Sequence, residues 1–387
     1  MKKCVYFILV FLLFSENGKA ADDSLPVRIG LYTGLRSISF AVIPAEGIYE
    51  IYGNDKLLLT ITPEKAISVN IDKTKVKLRH NGKVIGSYSK VKLKGTTGND
   101  VFRLKSVSPV SEPWPFDDDL EFTASRGYLK AVNVVNIDKY VAGVVESEIG
   151  PATTIEFLKA KAIICRTYGL SQLNRHRNER FNLCDKVHCQ VYKSKSRFNE
   201  LIKSAVEETA GIIITDTSGN LITAAFSANC GGQTTNSEDA WSEQLYYLRS
   251  ITDPFCINQS NATWTKEFSV VEWSKYFSAQ HRIKFNCDDP FCYYPYSRDT
   301  TLILEKPIPL KQIRIDLKLR STWFSAESDH EKIILHGRGF GHGVGLCQEG
   351  AMEMSHLGYC YDEIINFYYQ NIVIQEMMLE NKMKNLE

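Results

Sequence analysis

Residues 140–173, YVAGVVESEIGPATTIEFLKAKAIICRTYGLSQL, carry the change of pattern that decides the fold. Positions 140–145 form a short valine-rich apolar run and read as a strand. Beyond Pro151 the period changes. Thr153 and Glu156 have capping-box spacing. Ile155, Leu158, Ala162 and Cys165 then recur at three- and four-residue steps, with Phe157, Ile164 and Tyr168 alongside. The spacing predicts one long, largely buried helix running to about Leu173.

Upstream, residues 27–104 alternate apolar and polar positions between frequent turn signals, as in RIGLYT, YEIYG, LLLTITP, KVKLRHNGKVIGSY and VFRLK. Asn81-Gly82 between two such runs signals a type I′ hairpin. Pro109, Pro113 and Pro115, followed by Asp117, Asp118 and Asp119, mark a linker or long loop, and residues 128–135 read as a strand. Downstream, strands are expected at 211–216, 221–227 and near Leu302 and Ile333, with helices after Gln348 and Asp362. No internal repeat is evident. The class is therefore α+β: a β-rich N-terminal region (21–115), then a mixed α/β region (116–374) with one long buried helix, and a charged C-terminal tail (375–387).

The 387 residues hold 46 Lys+Arg against 45 Asp+Glu, with 44% hydrophobic and 24% charged side chains. That composition is globular, and its charge balance lacks the basic footprint of a nucleic-acid binder. Met1-Lys2-Lys3, the apolar run from Cys4 to Phe14 and the following SENGKAA read as a signal peptide (1–20) cut after Ala20. Its apolar run falls short of the ~20 residues that span a bilayer. No later segment approaches a span, so no transmembrane anchor is expected after cleavage. Of ten cysteines, only Cys4 leaves with the leader. The remaining set is odd and meets a compartment where disulfides form, so at least one thiol is free, buried or metal-bound.

Five motifs hold side chains suited to chemistry. Glu146 and Glu148 lie two apart and would share a face if extended. A carboxylate held between apolar elements loses solvation, which raises its pKa as a general acid needs; surface carboxylates at a helix start are the plainer reading. Arg166, among apolar residues, needs a carboxylate or a sugar hydroxyl as partner, and Tyr168 is by default a core aromatic. His176, Cys184, His188 and Cys189 fit either a closed zinc site or a Cys184–Cys189 disulfide with bystander histidines. A closed four-ligand site is structural, because it leaves no position for an activated water.

In the fourth motif, Phe226-Ser227-Ala-Asn229-Cys230-Gly-Gly-Gln ends a strand, with Trp241 downstream. Its polar groups suit a polar ligand and Trp241 suits stacking on a sugar face; a simple loop with Trp241 in the core is the alternative. The fifth is GRGFGHGVGLCQEGA (337–351), containing His342 and Gln348. It is a tight glycine loop leading into a helix, and it matches neither G-x-G-x-x-G nor a P-loop, so no nucleotide is expected. No G-x-S-x-G or H-E-x-x-H occurs, which weakens the serine-hydrolase and zincin readings.

These motifs, in this order, resemble the SpoIID/LytB family. The resemblance rests on YVAGVVESEIG, LKAKAIICRTYGL, FSANCGGQT with the following DAW and ITDPF, and GRGFGHGVGLCQEGA, and it covers roughly residues 27–374. It implies a bacterial lytic transglycosylase domain acting on peptidoglycan glycan strands stripped of stem peptides, in the periplasm or cell envelope. The catalytic glutamate implied is Glu148, with Arg166 orienting it or the ligand. Tyr168, Ser227, Asn229, Trp241, His342 and Gln348 are the expected substrate-binding residues. The resemblance also favours structural zinc held by His176, Cys184, His188 and Cys189. Its LytB branch implies the alternative, a non-catalytic glycan binder that enhances a cell-wall amidase. The chain departs from the pattern where Ile149-Gly150-Pro151 replaces Met-Pro and where Cys230 and Cys347 replace small residues. Cys230–Cys256 and Cys287–Cys292 are candidate disulfides of this branch.

Overall fold

The computed structural model describes residues 25–149, 153–197, 199–241, 243–284, 291–295, 297–329 and 331–377. The expected leader, Gly150-Pro151, Cys287 and the end of the tail lie outside the described residues. Two antiparallel-rich sheets open the chain. One has seven strands in the order Leu183–Cys184, Pro26–Leu31, Tyr128–Asn136, Asp119–Ser125, Lys90–Gly95, Tyr49–Gly53, Lys56–Ile61. The other has six, in the order Trp114–Asp117, Val101–Ser108, Ser39–Glu46, Ile67–Asp72, Lys75–His80, Lys83–Tyr88. Alternate residues such as Ile67, Val69, Val76 and Leu78 are buried between them, as a sheet with one core face requires. Phe40 of the second sheet meets Phe122 of the first with ring centroids 5.5 Å apart. The predicted hairpin is present: His80 pairs with Lys83, and Asn81 and Gly82 have φ of 49° and 75°, the left-handed pair that a type I′ turn requires.

No break separates 115 from 116. Trp114–Asp117 spans that point and pairs with Val101–Ser108, while Tyr128–Asn136 pairs in register with Pro26–Leu31. The β-rich region thus extends to Asn136. Of the prolines that suggested a linker, Pro109 and Pro113 lie in the connection between Val101–Ser108 and Trp114–Asp117, and Pro115 is on the edge strand, whose outward N–H has no ladder partner to lose.

Helix α1 (Ile137–Ile149) replaces the predicted strand at 140–145. Its run from Tyr140 to Val145 is buried throughout. Contacts on all sides therefore outweigh the valines' weak preference for extended backbone. Helix α2 (Ile155–Ser171) is the long buried helix, capped by Thr154 rather than Thr153; the Phe157 N–H donates to Thr154 Oγ1 at 3.4 Å. Glu156 instead pairs with Lys159 at 3.1 Å and accepts the Tyr361 N–H at 2.9 Å. Leu158, Ala162 and Cys165 face the core shared with the sandwich, whereas Phe157, Ile163 and Ile164 face a second core with Ile214, Leu346 and Ile364. A helix shared by two cores is apolar on nearly every face.

Helices α3 (Glu200–Glu208) and α4 (Ser237–Trp241) follow. A four-stranded sheet in the order Thr263–Ser269, Lys332–Arg338, Phe324–Asp329, Cys292–Tyr293 then packs with α5 (Val270–Tyr276) and α6 (Leu310–Asp316). This unit has its own core around Trp264, Trp273, Ile313 and Leu335. The chain ends with α7 (Gln348–His356), α8 (Tyr361–Tyr368) and strand Ile372–Glu376, which pairs with Ile212–Asp216. The expected tail therefore begins inside a strand. Among the described residues no helix is long and apolar enough to cross a membrane.

Candidate active site

Glu148 occupies the last turn of α1. Its Oε1 accepts the Val191 N–H at 3.0 Å. The segment after Val191 runs along the same helix end: Lys193 N–H donates to Ser147 Oγ at 3.2 Å, and Ser196 Oγ to Glu146 Oε2 at 2.8 Å. Because α1 is helical, Glu146 and Glu148 are separated by roughly 200° and do not share a face. Only Glu148 lines the main groove, a cavity of about 610 Å³. Tyr168, Ser227, Trp241, His342 and Gln348, all expected substrate-binding residues, line it too. Glu148 is the only carboxylate among its described lining residues.

One wall of the groove comes from two distant segments. Phe226–Ser227 pairs in parallel with Leu346–Cys347, which places Ser227 beside the first residue of α7, Gln348. The glycine loop folds closely onto this pair. Gly345 has φ of +69°, and a Cβ there would lie 2.1 Å from the Ala225 carbonyl oxygen, so the position admits only glycine. Ser227 Oγ and Gln348 Oε1 are buried without a hydrogen-bond partner, an arrangement that costs free energy until a polar ligand supplies one.

His342 Nδ1 accepts the Val344 N–H at 3.0 Å, so the neutral ring carries its proton on Nε2. Burial, aided by the Arg314 and Arg298 guanidiniums, pulls its pKa down to about 4. The ring lies 5.1 Å from that of Trp241. Tyr168 OH accepts from Arg175 at 2.9 Å, and burial raises its pKa.

Two predicted site residues are elsewhere. Arg166 is fully buried: its Nε donates to Asp138 at 2.8 Å, and its other nitrogens to the carbonyls of Ile212 and Val206 at 3.1 and 3.3 Å. The partner expected for it is therefore a carboxylate of α1, and the expectation of a catalytic Arg166 gives way to a core tie. Asn229 is also fully buried, donating to Glu349 at 2.6 Å and to the Cys256 carbonyl at 3.1 Å. It braces the wall from behind.

Sequence reasoning missed Arg175, Arg314 and Phe340, which line the groove, and Lys161. Arg314 lies on α6, far from every motif, and nothing local marks it. Lys161 was hidden inside the apolar period of α2. It is fully buried, its Nζ has no hydrogen-bond partner, and it sits 2.8 Å from the centroid of the Phe226 ring. Burial lowers its pKa, with Cys165 and Glu148 acting the other way.

The Cys/His cluster borders the groove through Cys189. Strand Leu183–Cys184 pairs in parallel with Pro26–Leu31, which fixes Cys184 at the sandwich edge. One donor atom from each of His176, Cys184, His188 and Cys189 lies within 4.8 Å of the others. Cys184 and Cys189 Sγ are unbonded at 3.5 Å, far beyond the ~2.05 Å of a disulfide and near the ~3.8 Å edge of a tetrahedron built on ~2.3 Å zinc–sulfur bonds. His176 Nε2 lies 3.4 Å from Cys189 Sγ, while its Nδ1 meets Glu179 at 2.7 Å. A carboxylate behind a ligating imidazole is the usual orienting partner in metal sites. The donor set fits a tetrahedral two-sulfur, two-nitrogen centre.

Comparisons with known proteins give the chain its relatives. Residues 125–215 match the family model SpoIID, stage II sporulation protein. The chain is 32% identical over 276 residues to an uncharacterized protein of Brachyspira hyodysenteriae, covering 68% of this chain and 73% of that one. It is 28% identical over 296 residues to the stage II sporulation protein D of Bacillus amyloliquefaciens, covering 72% and 85%. It is 24% identical over 286 residues to the amidase enhancer of Bacillus subtilis, covering 59% of this chain and 39% of that one. The chain belongs to the SpoIID family.

Proposed function

We propose that this SpoIID/LytB-type protein works on the bacterial cell wall as an exported lytic transglycosylase, cutting peptidoglycan glycan strands beside N-acetylmuramic acid. The observation that carries the reading is the single carboxylate, Glu148, facing a groove with unsatisfied polar groups and an aromatic wall. Most glycosidases need two carboxylates, the second to activate water or attack the sugar. A lytic transglycosylase manages with one. Protonated Glu148 gives its proton to the glycosidic oxygen as the bond to C1 breaks. The resulting carboxylate takes the proton of the sugar's own C6 hydroxyl, whose oxygen bonds to C1 and closes a 1,6-anhydro ring. No water is consumed.

Ser227 and Gln348 would satisfy ligand polar groups, Trp241 would stack on a sugar face, and the Val191 N–H would fix the Glu148 carboxyl. His176, Cys184, His188 and Cys189 would hold zinc. A four-ligand ion there would supply no activated water; it would fix the turn from which the 189–191 segment reaches Glu148.

The similarity to an amidase enhancer favours one second reading: a non-cutting glycan binder that stimulates a cell-wall amidase. Mass spectrometry of peptide-free strands incubated with the protein separates the two. Products ending in 1,6-anhydro-N-acetylmuramic acid, formed by wild type and not by Glu148→Gln, support the transglycosylase. Reducing-end products would overturn it in favour of a hydrolase, and intact strands that sediment with the protein would favour the binder.

A further inference from the structure

Behind the groove wall, three cysteines and an aspartate from separated segments converge. Cys230 follows strand Phe226–Ser227, Asp253 and Cys256 sit on one turn, and Cys347 caps α7. All four are fully buried, and one donor atom from each lies within 4.8 Å of the others. Cys230 Sγ is 3.5 Å from Cys256 Sγ and 3.2 Å from Asp253 Oδ2. The sulfur pair expected as a disulfide is thus unbonded, at a separation close to the ~3.8 Å edge of a zinc–thiolate tetrahedron.

We propose that Cys230, Asp253, Cys256 and Cys347 form a second metal centre, a closed site for one zinc ion, independent of the Cys/His cluster and of the cleavage chemistry. Three thiols and a carboxylate select a thiophilic divalent cation, and four protein donors leave no open position. The surroundings are built as a ligand shell needs. Gly232 N–H points at Cys256 Sγ and Cys230 N–H at Cys347 Sγ, each at 3.2 Å. Asp253 is oriented by Tyr368 OH and by the Phe255 N–H, both at 3.0 Å. Among the described residues no basic side chain forms an ion pair with Asp253, and a buried carboxylate without a cation is costly. Zinc supplies that charge.

The site would also explain what clamps the groove wall. It would tie the turn after Ser227 to the start of α7 at Gln348 through the 253–256 turn, adding to the Asn229 hydrogen bonds to Glu349 and the Cys256 carbonyl.

Native mass spectrometry of the full-length chain, purified with zinc under reducing conditions, tests this. In His176→Ala/Cys184→Ser, which disables the other cluster, the chain is expected to keep one zinc, and adding Asp253→Asn/Cys256→Ser should remove it. A zinc-free His176→Ala/Cys184→Ser chain overturns the proposal, as does a Cys230–Cys256 disulfide found by peptide mapping. Wild type gives an answer independent of any variant. Alkylation of Cys230, Cys256 and Cys347 should be slow with zinc and accelerate at least tenfold with a chelator; rates unchanged by the chelator overturn the site.

Discussion

The Val191 N–H donates to Glu148 Oε1 at 3.0 Å, two residues after Cys189 of the Cys/His cluster. The proposed acid is thus held by a backbone group whose position depends on how that turn is anchored.

Removing the carboxyl's proton chemistry should stop cleavage while the fold survives. Glu148→Gln keeps an acceptor for the Val191 N–H and is expected to lower turnover by about 10²–10⁴-fold, the usual weight of a general acid. Val191→Pro removes the donor. Loss of a hydrogen bond to a charged group is worth about 1.5–3 kcal/mol, so turnover should fall roughly ten- to hundredfold at nearly unchanged KM. Kinetics on peptide-free strands, with circular dichroism to confirm folding, check both.

If zinc anchors the turn, stripping it should act on Glu148 at a distance. His188→Ala is expected to raise amide hydrogen exchange across residues 184–197 and to lower turnover with little change in strand binding. A variant as active and as protected as wild type would separate the cluster from the site.

Arg166 should behave as a core tie and not as a catalytic group. Its guanidinium has three partners at once, Asp138 and two carbonyls; Asp138 keeps 33% of its side chain exposed, so the main cost of removing Arg166 is the buried carbonyls left unpaired, about 1–3 kcal/mol. Arg166→Met should lower stability by that order in chemical denaturation. Activity per folded molecule below the transition should remain within about twofold of wild type.

The pH profile of stability should carry the mark of His342. Its native pKa, about 4, lies below the ordinary ~6.5 of an unfolded histidine. Between those values the unfolded chain binds the extra proton and the native one does not, so stability falls as pH drops from about 6.5 toward 4. His342→Gln cannot bind that proton in either state. Its denaturation midpoint should show a shallower acid slope over this window, and parallel slopes would refute the assignment.

How far the sequence led depends on whether the deciding signal was local. The alternation around Val69 and Leu78 and the Asn81-Gly82 turn needed only neighbours along the chain, and the structure has them. So does the glycine loop, because Gly345 meets Ala225 through backbone geometry that the glycine itself announces. Helix α1 was misread because Val141, Val144 and Val145 favour a strand in isolation, and only burial among α2, α3 and the sandwich makes them helical. The strand across residue 115 was hidden similarly, since Pro115 marks an edge strand as readily as a linker. Arg314 and the Cys230–Asp253–Cys256–Cys347 convergence were illegible for a plainer reason: their partners are tens of residues away, brought together by topology alone.

Lys161 offers the sharpest stability test, because its amine is buried with no hydrogen-bond partner. The Phe226 face attracts the ammonium, an effect of about 2 kcal/mol when desolvated, but burying an ion costs several kcal/mol. The balance leaves wild type destabilised, as the lowered lysine pKa also indicates. Lys161→Met, of similar length and apolar, should therefore stabilise the protein by about 1–3 kcal/mol at pH 7. Because the native pKa lies below the unfolded one, the penalty is full at low pH and fades as pH rises toward the ordinary lysine value near 10.4. The advantage of Lys161→Met should therefore shrink between neutral pH and about pH 10. A variant less stable than wild type at pH 7 would mean that the ammonium has a stronger partner than the Phe226 ring, with Glu148, whose charge acts on it, as the carboxylate candidate. In that case the same substitution should also depress cleavage, which ties the stability measurement back to the active site.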